Sequence, residues 1–199
     1  MKDDPASTSA TGAPRVRIRA REPFVSADTP DWSREAKAFW RWDPARSLLA
    51  SMRAHQRASA SSGPGGFVRR RIAALRHRFW SIVTGADIPL GSRIDGGLLL
   101  PHPNGIVIHP DARIGPNCLL FQQVTIGTGG PTPGTPTLGG HVDVGAGAKI
   151  LGAVTIGAHA KIGANAVVLC DVPPRASAVG VPARVLTRAD ADATTWPGA

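Results

Sequence analysis

VGAGAKILGAVTIGAHAKIGANAVV, residues 144–168, carries an aliphatic residue at every sixth position: Val144, Ile150, Ile156, Ile162 and Val168. The same phase runs back through Leu138, Ile126, Leu120, Ile114 and Ile108, and after a step of eight through Leu100, Ile94 and Ile88. Gly follows the aliphatic at Gly115, Gly127, Gly139, Gly145, Gly157 and Gly163. Four places after it a small or apolar residue returns at Ser92, Ala112, Cys118, Val124, Ala148, Val154, Ala160 and Ala166. A helix repeats near 3.6 and a half-buried strand near 2, so a period of six is neither. It is the period of a parallel β-helix, in which each repeat is one short strand plus a turn and three repeats close a triangular coil. The aliphatic is expected on the axis and the small residue in a crowded corner. Gly is expected to supply a turn conformation that a Cβ would hinder. The fold class is therefore mainly β, with the repeat domain over residues 87–172.

Two places break the rhythm. Between Leu100 and Ile108 two extra residues bulge out in PHPNG, residues 101–105. Between Ile126 and Leu138 the phase holds, but GTGGPTPGTPT (127–137) has nothing to fill a core and should loop outward. Loops on a rigid scaffold are where function concentrates.

Upstream, residues 1–29 are rich in Ser, Thr, Ala and Pro and read as a disordered tail. Residues 30–86 read as helical. One helix is expected from an Asp31 cap with Trp32, Ala36, Phe39 and Trp40 on one face, and a second from an Asp43 cap through Leu48, Leu49 and Met52 to about Arg57. A third is expected from about Phe67 to Val83, with Val68, Ile72, Leu75, Phe79 and Ile82 as its apolar stripe. The aromatic residues of this region are expected to pack against each other, the coil or a partner subunit. Residues 173–199 form a C-terminal extension.

The chain carries a formal net charge of +9 over 199 residues. Residues 1–86 hold 16 Lys/Arg against 7 Asp/Glu, and residues 87–199 hold 7 against 7, so the whole excess is N-terminal. A basic segment such as Arg69-Arg70-Arg71 with Arg76 and Arg78 could meet nucleic acid or anionic lipid, but no recognised nucleic-acid motif accompanies it, and the basic residues are expected instead on a solvated helix face or against a neighbouring subunit. Neither a nucleic-acid nor a membrane partner is expected. No apolar run is long enough to span a bilayer, and the N-terminus lacks a signal-peptide core, so the expected location is cytoplasmic. Cys118 and Cys170 are the only cysteines, and Cys118 falls at a small-residue corner, where it should be inert.

His102 stands in the two-residue bulge between Pro101 and Pro103. Histidine changes charge near neutral pH, which suits a general base there. The other histidines show no ligand spacing: His55 and His77 are expected on helix surfaces, and His109, His141 and His159 at coil turns. No metal site is expected.

The segments DIPLGSRIDGGLLLPHPNGIVIHPDARIG, QQVTIGTGG, VGAGAKILGAVTIGAHAKIGANAVVL and DVPPRASAVGVPARVL resemble the serine O-acetyltransferases of the hexapeptide-repeat acyltransferases over about residues 87–186. The resemblance implies a left-handed coil, homotrimers or dimers of trimers, and a role in cysteine biosynthesis. It implies acetyl transfer from acetyl-CoA, as co-substrate with no tightly bound cofactor, to a small-molecule hydroxyl, L-serine by default. His102 matches the family's catalytic histidine. CoA contacts carried over by position are Gly127, Thr128, Ala146, Lys161, Ala164 and Arg184, and acceptor contacts Asn104, Gln122 and Thr135. The chain departs from the pattern where the family carboxylate before the histidine is Pro101, where its second active-site histidine is Thr135, and at Pro110 and Pro89. A backbone carbonyl, or an acid such as Asp87 or Asp95, is expected to stand in for the missing carboxylate. These departures leave open a sugar or other small alcohol as acceptor. A non-catalytic β-helix scaffold is the alternative from another class.

Overall fold

The computed structural model describes residues 25–38 and 40–186. The rest of the expected tail (1–24), Phe39 and residues 187–199 lie outside the described residues. Among the described residues two α-helices, α1 (Pro44–Ser59) and α2 (Pro64–Thr84), precede thirteen short strands, β1 (Arg93–Ile94) to β13 (Arg184–Leu186). From β2 to β11 the strands visit three sheets in strict rotation. The first face is β1-β3-β6-β9, the second β4-β7-β10-β12 with β13 at its edge, and the third β2-β5-β8-β11. All pairings are parallel except β12 (Ser177–Val179) with β13, which turns back antiparallel. The register advances by 18 residues on a regular coil, Val107 facing Thr125 and Lys149 facing Val167, by 20 across the 101–105 bulge (Arg93 facing Arg113), by 16 at the last coil (Lys161 facing Ser177) and by 24 between Thr125 and Lys149. The six additional residues there belong to the 127–137 loop.

All thirteen in-phase aliphatics are buried on the axis, and the eight small residues of the second column are buried beside them. Cys118 is one of these. Burial pushes its thiol up to about 12, and its Sγ lies 3.3 Å from the Gly139 carbonyl oxygen. At neutral pH it stays protonated and unreactive.

The repeat glycines have a different reason from the one expected. None of the six after an aliphatic has positive φ. Instead, a Cβ on Gly145 would lie 2.6 Å from the Ala164 nitrogen, and one on Gly139 2.8 Å from that of Ala158. Glycine there lets one coil lie against the next. The left-handed turn conformations are shared between other glycines and polar residues, and one corner stacks Asn117, His141, His159 and Arg175, all with φ between 54° and 62°. His141 and His159 are one coil apart, which turns two apparently isolated histidines into a pair: their Nδ1 atoms are 2.9 Å apart and hold one hydrogen between them. Burial lowers the pKa of His141, and the neighbouring His159 adds to that.

Asp31 caps only a 3-10 turn, Trp32–Arg34, not the helix expected there. Trp32 and Trp40 are exposed. Residues 25–31, the last five residues of the expected tail and the first two of the expected helical region, lie along the same corner of the coil. Asn117 Nδ2 donates to the Ser26 and Thr29 carbonyls, and its Oδ1 accepts from the Asp31 backbone. Asp43 does cap α1, accepting from the Arg46 N–H at 3.0 Å. Leu48, Leu49 and Met52 of α1 join the core of the coil, and α2 packs on α1.

The apolar stripe of α2 is not packed. Val68, Ile72, Leu75, Phe79 and Ile82 are all more than half exposed, and α2 turns inward the small or polar Ala73, His77 and Thr84. His77 is thus buried, not on the surface as expected. Its Nε2 sits 2.8 Å from the Ile88 carbonyl oxygen and so carries the hydrogen, while Nδ1 lies 3.3 Å from Ser51 Oγ. Burial lowers its pKa, outweighing the bond to Ile88. A histidine depressed in the fold is protonated more readily when unfolded. Its stabilising effect is complete above about pH 6.5 and is lost as pH falls towards the native value. Urea midpoints from pH 7.5 down to 5 should fall less steeply in His77→Gln than in the parent; equal slopes would remove His77 from the acid response.

Candidate active site

The chain leaves the second face at Leu100 and enters the third at Val107, and the two-residue bulge forms the corner between them. It is held at its base. The Gly105 N–H donates to the Gly85 carbonyl at the C-terminus of α2 (2.9 Å), Ile106 N–H to Pro103 O (3.2 Å), and Gln123 N–H on the next coil to Asn104 O (2.9 Å). Gly85 takes a left-handed conformation there, φ 67°, and a Cβ on it would strike the Asn104 amide at 2.8 Å. The imidazole of His102 is exposed and makes no hydrogen bond among the described residues. It lines a cleft of about 360 Å³ with Asp43, Val83, Thr84 and Asn104.

The same corner recurs on each coil above. Gly147 N–H donates to Gln122 O (2.9 Å) and Asn165 N–H to Ala146 O (2.8 Å), so Asn104, Gln122, Ala146 and Ala164 stand in one column. At the usual strand spacing, three steps make it about 14 Å long. It starts polar beside His102 and becomes small-sided towards Ala164. Gln122 Oε1 is buried without a hydrogen-bond partner. Lys161 begins β10, three residues before Ala164, and is exposed. Arg184 faces Val179 across the β12–β13 pair, and Val179 lies against Gly163. Both cations therefore flank the upper end of the column.

Gly127, Thr128 and Thr135 do not join this group within one chain. Gly127 ends β5 at the opposite edge of the third face, where the 127–137 loop starts. The loop folds back on the next coils: Ala153 N–H donates to Thr132 O (3.2 Å), and a Cβ on Gly130 would touch Leu169 at 3.0 Å. The Thr135 hydroxyl is turned to its own chain, 3.3 Å from Asp111 O. Among the described residues no group of three or more His, Cys, Asp or Glu could hold a metal ion.

Neither carboxylate expected to replace the one lost at Pro101 lines the His102 cleft. Asp95 lies on a separate cleft over the first face. Asp87 has its backbone engaged with the third face at Val107. The acid that does line it is Asp43, the α1 cap, which also lies 3.6 Å from Arg46. Sequence reading found Asp43 as a cap, but a separation of 59 residues from His102 carries no signal of the shared cleft.

No family model matches the chain. A serine acetyltransferase of Helicobacter pylori (strain J99) is 43% identical over 124 residues, 61% of this chain and 70% of that protein. The chain belongs to the serine acetyltransferase family. A serine acetyltransferase of Synechococcus elongatus is 44% identical over 109 residues, 54% of this chain and 45% of its own length. The structure of the Brucella abortus serine acetyltransferase in complex with coenzyme A superposes with a TM-score of 0.61 at 31% identity, covering 73% of this chain and 56% of that one. The chain spans about half the length of the first curated serine acetyltransferases it matches.

Proposed function

We propose that this chain transfers the acetyl group of acetyl-CoA to the hydroxyl of L-serine, with His102 as general base. The observation that carries this reading is the corner column, a histidine at one end and small residues above it with cations at the far end. The acceptor sits in the His102 cleft beside Asn104 and Gln122. His102 takes the hydroxyl proton as the oxygen attacks the thioester carbonyl. The tetrahedral intermediate then expels the CoA thiolate, and the imidazolium returns the proton to that sulfur. Positioning of the two substrates supplies the remainder of the acceleration. Ala146 and Ala164 leave room for the pantetheine arm, and Lys161 and Arg184 face the phosphates. Asp43, the acid on the same cleft, is our candidate to take the place of the missing family carboxylate.

We take the coil to be left-handed and the active unit to be a homotrimer. In a trimer, the 127–137 loop of one copy reaches the His102 corner of the next. That arrangement brings Gly127, Thr128 and Thr135 to the site they miss within one chain. We place the reaction in the cytoplasm, where acetyl-CoA is available. Among the described residues no helix is long and apolar enough to cross a membrane.

A second reading, transfer to a sugar or other small alcohol, is favoured by the engaged Thr135 hydroxyl and by Pro101 and Pro110 at positions where the family pattern has acids. Thiol release from acetyl-CoA is expected with L-serine as acceptor. CoA binding without turnover on serine would move the acceptor to other alcohols, and no CoA binding at all would leave a scaffold.

A further inference from the structure

We propose that the outer face of α2 lies on an anionic phospholipid surface. At about 100° per residue, Val68, Ile72, Leu75, Phe79 and Ile82 fall within an arc of about 80° directed away from the buried Ala73 and His77. Leu75 is 70% exposed and Ile82 77%. Arginines border the arc on both sides, Arg69 and Arg76 on one flank, Arg71 and Arg78 on the other. Neither α1 nor α2 contains a carboxylate.

An aliphatic stripe between two rows of arginine is the pattern of a helix lying in a bilayer interface, its stripe among the upper acyl carbons and its cations among the headgroups. One flank forms a receptacle. Arg57, Arg69 and Arg76 line a cleft of about 420 Å³ between the helices, with Ser61 at its side and Ile72 of the stripe at its rim. Among the described residues none of these three arginines makes an ion pair. A lipid phosphate in that cleft would leave its acyl chains beside Ile72. At the C-terminal end Phe79, Trp80 and Trp42 cluster, with ring centroids 5.0 and 5.6 Å apart, and Trp42 and the nearby Trp40 are exposed. Indoles favour the headgroup level.

Charge selects this occupant. A second copy seated stripe to stripe would face the four flanking arginines with four more and no carboxylate on either helix. Nucleic acid would satisfy the arginines but leave Val68, Ile72, Leu75 and Ile82 in water. An anionic bilayer satisfies both. The expectation of no membrane partner weighed the charge of this region alone; the exposed stripe beside that charge is what changes the reading. The contact is peripheral, compatible with a cytoplasmic enzyme, because the inner leaflet carries the anionic lipids.

The test is sedimentation of the full chain with vesicles of phosphatidylcholine alone, or of equal parts phosphatidylcholine and phosphatidylglycerol. The chain should pellet with the mixed vesicles at least about tenfold more strongly than with phosphatidylcholine alone, with a blue shift of tryptophan emission. Leu75→Glu/Ile82→Glu should abolish pelleting while circular dichroism, molar mass by light scattering and thiol release stay unchanged. Absence of pelleting with mixed vesicles, or equal pelleting by the double variant, overturns the proposal. So does a fall in molar mass of that variant, which would make the face a contact between copies.

Discussion

His102→Ala is expected to lower acetyl transfer by about 10²–10⁴-fold, with the KM for acetyl-CoA nearly unchanged. The split follows from geometry. His102 sits at the foot of the column, on the cleft proposed for the acceptor, whereas the small residues proposed to receive CoA stand on the coils above it. Its imidazole is exposed and makes no hydrogen bond among the described residues, so truncation leaves no buried group unpaired. Circular dichroism and the thermal midpoint should therefore match the parent. Steady-state kinetics of the two proteins side by side decide the matter, and a variant with full turnover would remove His102 from the chemistry.

Glu35→Ala is expected to destabilise the fold by about 3–5 kcal/mol, the usual consequence of leaving one partner of a buried ion pair alone. Glu35 and Arg53 are each only 7% exposed in their side chains and meet in a two-pronged contact, Nη2 to Oε1 at 2.9 Å and Nε to Oε2 at 3.0 Å. Arg53 also donates to the Ile94 and Asp95 carbonyls at 2.7 and 2.6 Å, and Glu35 accepts from the Leu98 N–H at 3.1 Å. One pair thus ties the segment before α1, α1 itself and the first coil together. With Glu35 gone, Arg53 keeps its burial and loses its counter-charge. Urea denaturation should show the loss as a lower midpoint with an unchanged slope. A midpoint within error of the parent would mean that water reaches Arg53 and the pair is not closed off.

The coil was legible because its signal is local and repeated. Each aliphatic at a multiple of six occupies the same place on the axis, so errors at one repeat are corrected by the next. The helices carried only half as much information. The Asp43 cap and the α1 core residues were readable, since caps and periodicity are short-range. The stripe of α2 had the right period, yet periodicity cannot tell an apolar face turned to the protein from one turned away. The helix predicted after Asp31 failed because the segment is held to the coil residue by residue, through Asp31, Arg34 and Glu35, which leaves room for only one 3-10 turn.

The candidate site divides in the same way. His102 was found through the phase break around it, and Asn104, Gln122, Ala146 and Ala164 through their likeness to family positions. Their alignment in one column follows from the coil, because residues 18 or 24 apart fall at one corner. By itself, then, the amino-acid sequence determined the six-residue period, the axial core and the two loops that interrupt it. Tertiary structure decided what crosses between elements: Asp43 beside His102, Glu35 on Arg53, His141 on His159, His77 buried and the α2 stripe exposed. Contacts of that kind depend on how separate elements pack, and no short-range pattern of residues encodes that packing.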